Sequence, residues 1–398
     1  MESSQNSKQK FENQPLIYLI RRSLFTKHDY RVDVVSNQLE RKAGKATEWE
    51  LVNFCDVELE LYEENFKGFK DALRALFGSK AIPRYDPFKV YFQGLPEWNA
   101  TQSDYIDLLA GYVKTEDSVW WKAMFKKWLV RCAGQAIGAI PFNKQCLTLV
   151  GKQNDGKTTF LDFLIPNTLK NYVKKGFDFG SKEGKFSLVQ NFMVNLDELA
   201  SFDKKELNNE FKTVLSEGIV KYRPLFQNVE TAFQRRASFV ASTNQFEFLT
   251  DETGNVRWLP FIVKEIQHDN GGADGYMAQV NIDLVWSQAY ALLNDSAFNP
   301  NMTNDEIKTL ELYNRKFLRT TTEMETINKF YEPAEKGETG AEFYTAADIE
   351  ENLRTKVTLK LYRNQIGKAL QILGFNQVST YNAQKKYTEK GYYIRLKS

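Results

Sequence analysis

Lys157 and Thr158 close a Gly-x-x-x-x-Gly-Lys-Thr run that begins at Gly151, inside the phrase LTLVGKQNDGKTTF. Residues of these types at this spacing bind phosphate. The glycines let the chain curl so that backbone N–H groups turn inward, the lysine ammonium reaches the β- and γ-phosphates, and the following hydroxyl ligates Mg²⁺. Asn154, Asp155, Gly156 and Thr159 are counted with them as nucleotide contacts. The flanks agree, since the apolar 147–150 reads as a strand and KTTFLDFL as a helix. The expected ligands are ATP and Mg²⁺.

Three further phrases carry residues suited to hydrolysis. NFMVNLDELA runs from apolar residues into Asp197 and Glu198, 40 residues beyond Lys157. An acid at a strand end holds Mg²⁺ while a neighbouring acid orients the attacking water; Asp197 fits the first role and Glu198 the second. RRASFVASTNQ ends a strand in Asn244, whose amide suits the γ-phosphate or the water, although a strand-to-turn asparagine is also common in its own right. LTDETGNVRWLPF sets Arg257 just before another strand. It is either an arginine finger for a neighbouring subunit or a surface ion-pair arginine. Arg235 and Arg236 read either as DNA or nucleotide contacts or as a solvated strand start, and the preferred reading is the latter or an interface role for one of them.

Elements must hold these groups together. Between 145 and 265 apolar strands (146–150, 192–196, 237–242, 258–263) alternate with amphipathic helices, the signature of an α/β layer fold. Residues 104–140 read as helical, with Asp117-Ser118 as an N-cap. YRVDVVSNQLERK reads as two strands about a turn at Ser36-Asn37, and FKGFKDALRALFG as a helix closed by Gly78. EKGETGAE (335–342) reads as a linker. Beyond it, two helices and a basic hairpin describe a winged-helix module. The expected divisions are an N-terminal α+β region (1–100), a helical collar (101–144), the ATPase core (145–265), a helical segment (266–334) and the winged helix (335–398).

Composition bounds the function. At about 150 residues per domain, 398 residues make two to three domains, and the net charge of +2 excludes a polycationic coat protein. Ten Lys/Arg stand against six Asp/Glu in 338–398, so basic charge is concentrated there. Arg363, Lys368, Lys385, Lys386 and Lys390 are the candidate duplex contacts, with Tyr387 able to stack; the alternative is a protein-interaction winged helix or a solvated hairpin. Cys55, Cys132 and Cys146 lie far apart and the histidines are His28 and His268, which argues against a zinc site, a disulfide scaffold or a Ser-His-Asp hydrolase. With no apolar run near 18 residues and a polar N-terminus, no membrane partner and a cytoplasmic location are expected.

In order, VGKQNDGKTTFL, NLDELASFDKKELNNEFKTVLS, YRPLFQNVETAFQRRASFVASTN and FLTDETGNVRWLPF resemble superfamily 3 helicases of the AAA+ class, and more closely the virulence-associated protein E (VirE-like) family. YDPFKVYFQGLPEWN upstream and IDLVWSQAYALL downstream extend the resemblance over roughly 83–320. It implies a P-loop ATPase of phage, plasmid or genomic-island replication, assembled as a homo-oligomeric ring, a hexamer by expectation. Lys157 and Thr158 would be its Walker A pair, Asp197 and Glu198 its Walker B pair, Asn244 its sensor and Arg257 its finger. Residues 212–233 resemble the block whose hairpin touches single-stranded DNA in the channel. Lys221 and Arg223 lie on its first arm, and Gln227-Asn228 replace the lysine usual at its turn. A primase is an expected partner, since no primase active site is recognisable. The implied function is an ATP-dependent helicase; the alternative is an initiator or regulatory ATPase that remodels DNA without processive unwinding.

Overall fold

The structure, a computed structural model, describes residues 14–196, 205–223, 229–250, 255–270, 272–383 and 386–397, with only the backbone of 205–209 and 222. The chain divides into two compact units. The first holds everything up to Gln245 together with Val256–Ile307; the second holds Phe246–Asn255 and Lys308–Ser398.

The first unit opens with helix α1 (Leu16–Lys27) and strands β1 (His28–Asp33), β2 (Gln38–Ala43) and β3 (Glu50–Leu51). Helices α2 (Phe54–Glu63) and α3 (Lys70–Gly78) and strand β4 (Arg84–Tyr85) follow. β1 and β2 pair antiparallel about the turn at Ser36-Asn37, where Asn37 takes φ 57°, and the sheet order is β3-β2-β1-β4. Ile20, Leu24, Tyr30, Leu61, Leu73 and Phe77 bury a core of its own. Asp33 ties this sheet to the rest of the unit by accepting from Tyr172 Oη at 2.9 Å.

Asp86 caps α4 (Pro87–Gln93), with proline at the first helical position where its missing N–H costs nothing. Helix α5 (Tyr105–Gly111), strand β5 (Val113–Thr115) and the 20-residue α6 (Ser118–Ile137) come next. Asp117 caps α6 by accepting from Trp120 N at 2.9 Å, and Gly138 (φ +80°) ends it. The stretch 104–140 is thus two helices separated by a strand. β5 is too short to show a period and exists because it pairs antiparallel with a strand 150 residues away.

The central sheet comprises β6 (Cys146–Val150), β7 (Val173–Lys175), β8 (Met193–Asn195), β11 (Ser238–Thr243) and β12 (Trp258–Ile266). Its order is β5-β12-β6-β11-β8-β7, parallel except for β5. All residues of β6, β8 and β11 are buried, as parallel strands covered on both faces should be. Helices α7 (Lys157–Phe163), α8 (Lys182–Gln190) and α9 (Lys205–Ser216) connect the strands, and β9 (Ile219–Tyr222) and β10 (Thr231–Gln234) form a separate hairpin. The unit continues through α10 (Tyr276–Gln279) and α11 (Ile282–Asn294). Buried tryptophans fix the packing and satisfy their N–H groups: Trp121 on Ala110 O, Trp128 on Gln145 O and Trp286 on Leu164 O.

Helix α12 (Asn304–Asn314) leads into the second unit, which contains α13 (Thr322–Phe330), β13 (Tyr331–Pro333), β14 (Glu342–Tyr344), α14 (Ala346–Lys356), α15 (Arg363–Ile372), β15 (Gln377–Asn382) and β16 (Tyr387–Leu396). β16 pairs antiparallel with β13, β14 and β15. Thr345 and Asp348 form a capping box on α14. Met324, Ile327 and Tyr331 share a core with Ile349, Ile366 and Tyr392. The expected linker at 335–342 is therefore a loop between two strands of one sheet. Arg395 reaches into it, bonding Glu338 Oε2 at 2.8 Å and Thr339 O at 3.2 Å. Gly-rich, charged composition describes such a loop as well as it describes a tether. Residues 246–250 join the same unit: Leu249 N donates to Phe317 O and Leu249 O accepts from Arg319 N, both at 2.9 Å. Among the described residues no helix is long and apolar enough to cross a membrane.

Candidate functional site

β6 delivers the chain to Gly151 at the C-terminal edge of the sheet, where Gly151 N donates to Thr243 O of β11 at 3.1 Å. The loop then curls, with Asn154 at φ 66° and Gly156 at φ 72°, backbone that asparagine and glycine adopt at least cost. α7 starts at once, Phe160 N donating to Gly156 O at 2.9 Å. Lys157 is buried and its Nζ donates to Gly151 O (3.0 Å), Lys152 O and Asn244 Oδ1 (3.0 Å). Burial lowers its pKa and the Asp155 carboxylate opposes the shift. An anion against this ammonium would restore the charged form. Thr158 Oγ1 lies 3.2 Å from Ser242 Oγ. Lys157, Thr158 and Asn244 are thus brought together, because β6 and β11 are adjacent and end level, Val150 opposite Thr243. Thr159 is exposed at the mouth of a cavity of about 620 Å³ that Asp162 and Phe163 also line.

Asp197 and Glu198 lie outside the described residues. β8, the strand that precedes them in the sequence, is next to β11, and Leu196 N donates to Val240 O at 2.9 Å. The last described residue before them, Leu196, is thus at the same end of the sheet, one strand further from Gly151 than β11.

His268 is the residue sequence reasoning missed. β12 runs past the end of β6, and its continuation sets His268 Nε2 3.2 Å from Asp155 O, with the ring on Tyr276 (centroids 5.3 Å). A Cβ at Gly156 would lie 1.7 Å from that nitrogen, so the glycine answers to a close approach as well as to its φ. No local pattern marks His268; only the register of β12 against β6 brings it there.

Arg257 ends a 3₁₀ turn, Asn255–Arg257, at the opposite edge of the sheet. Trp258 pairs with Cys146 and Ile262 with Val150, so Arg257 is about 20 Å of strand away from Gly151. Its Nη2 donates to Ser216 Oγ at 3.1 Å. The structure does not bring it to Lys157 of its own chain.

Lys221 sits exposed on β9 opposite Ala232, and Arg223 is exposed just beyond the strand; Gln227 and Asn228 lie outside the described residues. Arg235 corrects the expectation of a solvated strand start. It is fully buried, donating to Val214 O and Leu215 O at 3.0 Å, Ala237 O at 2.9 Å and Asn143 O at 3.4 Å. Burial pushes its pKa down to about 9. Its role is to close the C-terminal end of α9, whose last carbonyls have no partner within the helix. Arg236 is also internal, donating to Ala136 O and pairing with Asp86 at 3.0 Å.

In the second unit, Arg363 and Lys368 project from α15, and Arg363 pairs with Glu350 Oε2 at 3.0 Å. Lys386 takes φ 59° in the β15–β16 turn, donating its N–H to Asn382 O at 2.8 Å, and Lys390 is exposed on β16. Tyr387 is half exposed and donates to Glu389 Oε1 at 3.1 Å. Lys385 lies outside the described residues.

A family model described as the virulence-associated protein E-like domain matches residues 93–319. No curated protein matches the chain. Among solved structures, the A form of the apo NrS-1 C-terminal region aligns at 12% identity and TM-score 0.49, covering 96% of this chain and 99% of that one. The structure described as SCCmec type IV Cch, active helicase, aligns at 11% identity and TM-score 0.37, covering 91% and 92%.

Proposed function

The chain belongs to the virulence-associated protein E-like family, and from that premise we propose that it is an ATP-driven, helicase-like replication protein of a mobile genetic element. The observation that carries the reading is the convergence of Lys157, Thr158 and Asn244 on one curled loop at the end of β6. In this reading the triphosphate takes the place of the carbonyls and amide that Lys157 Nζ now bonds. Loop N–H groups hold the phosphates, and Thr159 opens onto the space for the nucleoside. Thr158 and Asp197 would hold Mg²⁺, which offsets charge on the phosphate oxygens when bound. Glu198 orients the attacking water and Asn244 holds it or the γ-phosphate. Arg257, too far from its own Lys157, serves the site of the next subunit in a ring, a hexamer as in superfamily 3 proteins. Lys221 and Arg223 on the β9–β10 hairpin face single-stranded DNA in the channel. The second unit, read as a winged helix, meets duplex DNA. A primase is the partner such a protein needs for replication.

The test is ATP turnover with and without single-stranded DNA, together with strand displacement on a fork. Stimulated turnover with displacement is expected, and both should vanish in Lys157→Ala. Stimulated turnover without displacement would make the protein a remodelling ATPase. Turnover unchanged in Lys157→Ala would overturn the assignment.

A further inference from the structure

Helix α15 turns Ile366, Ala369 and Leu370 into the core of the second unit and leaves Asn364, Gln365, Lys368 and Gln371 exposed. Asn364, Lys368 and Gln371 stand at i, i+4 and i+7, a single stripe about 10 Å long, close to three base-pair steps. A groove of about 570 Å³ is lined by these residues of the helix together with Gln377 of β15. No carboxylate lines this groove.

The hairpin extends the same surface. Gln377 Nε2 donates to Tyr392 Oη at 3.1 Å, and Tyr392 Oη reaches Gly367 O at 3.4 Å, so this hairpin face is the one against α15. The register pairs Gln377 with Tyr392, Ser379 with Lys390 and Tyr381 with Thr388, which puts all six on that face. Glu389, opposite Thr380, is on the other face and accepts from Asn382 Nδ2 at 2.7 Å. Helix stripe and hairpin face therefore form one surface of carboxamides, hydroxyls and lysines.

We propose that this surface reads base sequence in duplex DNA, with Asn364 and Gln371 on adenine edges and Lys368 and Lys390 on the charged frame of the duplex. The proposal rests on reading the second unit as a duplex-binding module. A carboxamide donates and accepts at the spacing that adenine N7 and N6 require, and the B-form major groove admits a helix. A-form RNA does not admit one, because its major groove is deep and narrow. An apolar protein partner is a poor match for a groove lined by carboxamides, lysine and arginine.

The experiment is selection of duplexes from a random pool by the full chain, followed by affinities of selected and scrambled duplexes over a salt series. The selected pool should carry fixed A·T pairs. Asn364→Ala with Gln371→Ala should lower the preference for the selected duplex by about ten-fold or more and leave the salt slope unchanged. Lys368→Ala with Lys390→Ala should weaken both duplexes alike and flatten the slope by about 0.9 per lost phosphate contact. All four side chains are exposed, so the fold should persist, which the thermal midpoint checks. Duplex binding without A·T enrichment, or amide variants that keep full preference, would overturn the reading of adenine. Equal binding of double-stranded RNA would do the same. No duplex binding at all would remove the winged-helix reading on which the proposal stands.

Discussion

Gly156 concentrates the residue-scale argument, because two independent constraints meet on one hydrogen atom. Its φ of 72° costs a side chain about 1–2 kcal/mol, and His268 stands where a Cβ would go. Gly156→Ala should therefore weaken ATP binding by about ten-fold or more. Gly156→Ala with His268→Ala should recover the steric part and keep the backbone part, as a nucleotide titration would show. A double variant no better than the single one would mean that the His268 contact is not what excludes the side chain. Arg235 is the stability counterpart. Arg235→Ala leaves several carbonyls of a buried region without a donor and should cost about 3 kcal/mol in urea unfolding. Arg235→Lys should recover only part of that, because one ammonium cannot span acceptors on both sides of a planar fork. Lys157 and Asn244 were legible in the sequence because each follows a short apolar strand within a recognisable phrase, Lys157 at the end of the glycine loop and Asn244 directly after β11. Arg235 was not, since a guanidinium at a strand start looks the same whether water or helix-end carbonyls surround it.

At the scale of elements, the strands buried on both faces were the legible ones. β6, β8, β11 and the first six residues of β12 are short apolar runs, and the sequence offers little else they could be. β5 and β7 are three residues each, held by pairing rather than by pattern. α6 is pinned at its polar edge by Lys126 on Asp104 and by Lys127 on Glu306 at 2.8 Å. Burial alone would raise both carboxyls, but the lysine hydrogen bonds and nearby backbone N–H groups outweigh it and hold both below the ordinary carboxylate range. A folded pKa below the unfolded one gives stability that is present above about pH 4 and lost as pH falls through the lowered values. Asp104→Asn with Glu306→Gln should therefore flatten the fall in urea midpoint below that pH. A fall as steep as that of the parent would show that these carboxylates do not set the acid limit. Arg257, at the mouth of β12, also belongs to this scale. Arg257→Ala should bind ATP and hydrolyse it poorly, and mixing it with Lys157→Ala under subunit exchange should restore some turnover. Neither single-variant ring can place an intact loop opposite an intact arginine, whereas a mixed ring can. No recovery on mixing would place the arginine outside a shared site.

For the whole molecule, the boundary near 335 expected from composition falls inside a folded unit whose core already includes Met324, Ile327 and Tyr331. Truncation after residue 337 should expose that core and bind a hydrophobic dye, whereas truncation after 320 should not. The second unit also takes Phe246–Asn255 from between β11 and β12. The backbone therefore passes between the units three times: after Gln245, after Asn255 and after Ile307. Two of these crossings lie within two residues of Asn244 and Arg257. Tension applied to the second unit would reach both residues along covalent bonds. Reciprocity then requires that any factor by which a duplex held there changes nucleotide affinity equals the factor by which nucleotide changes duplex affinity.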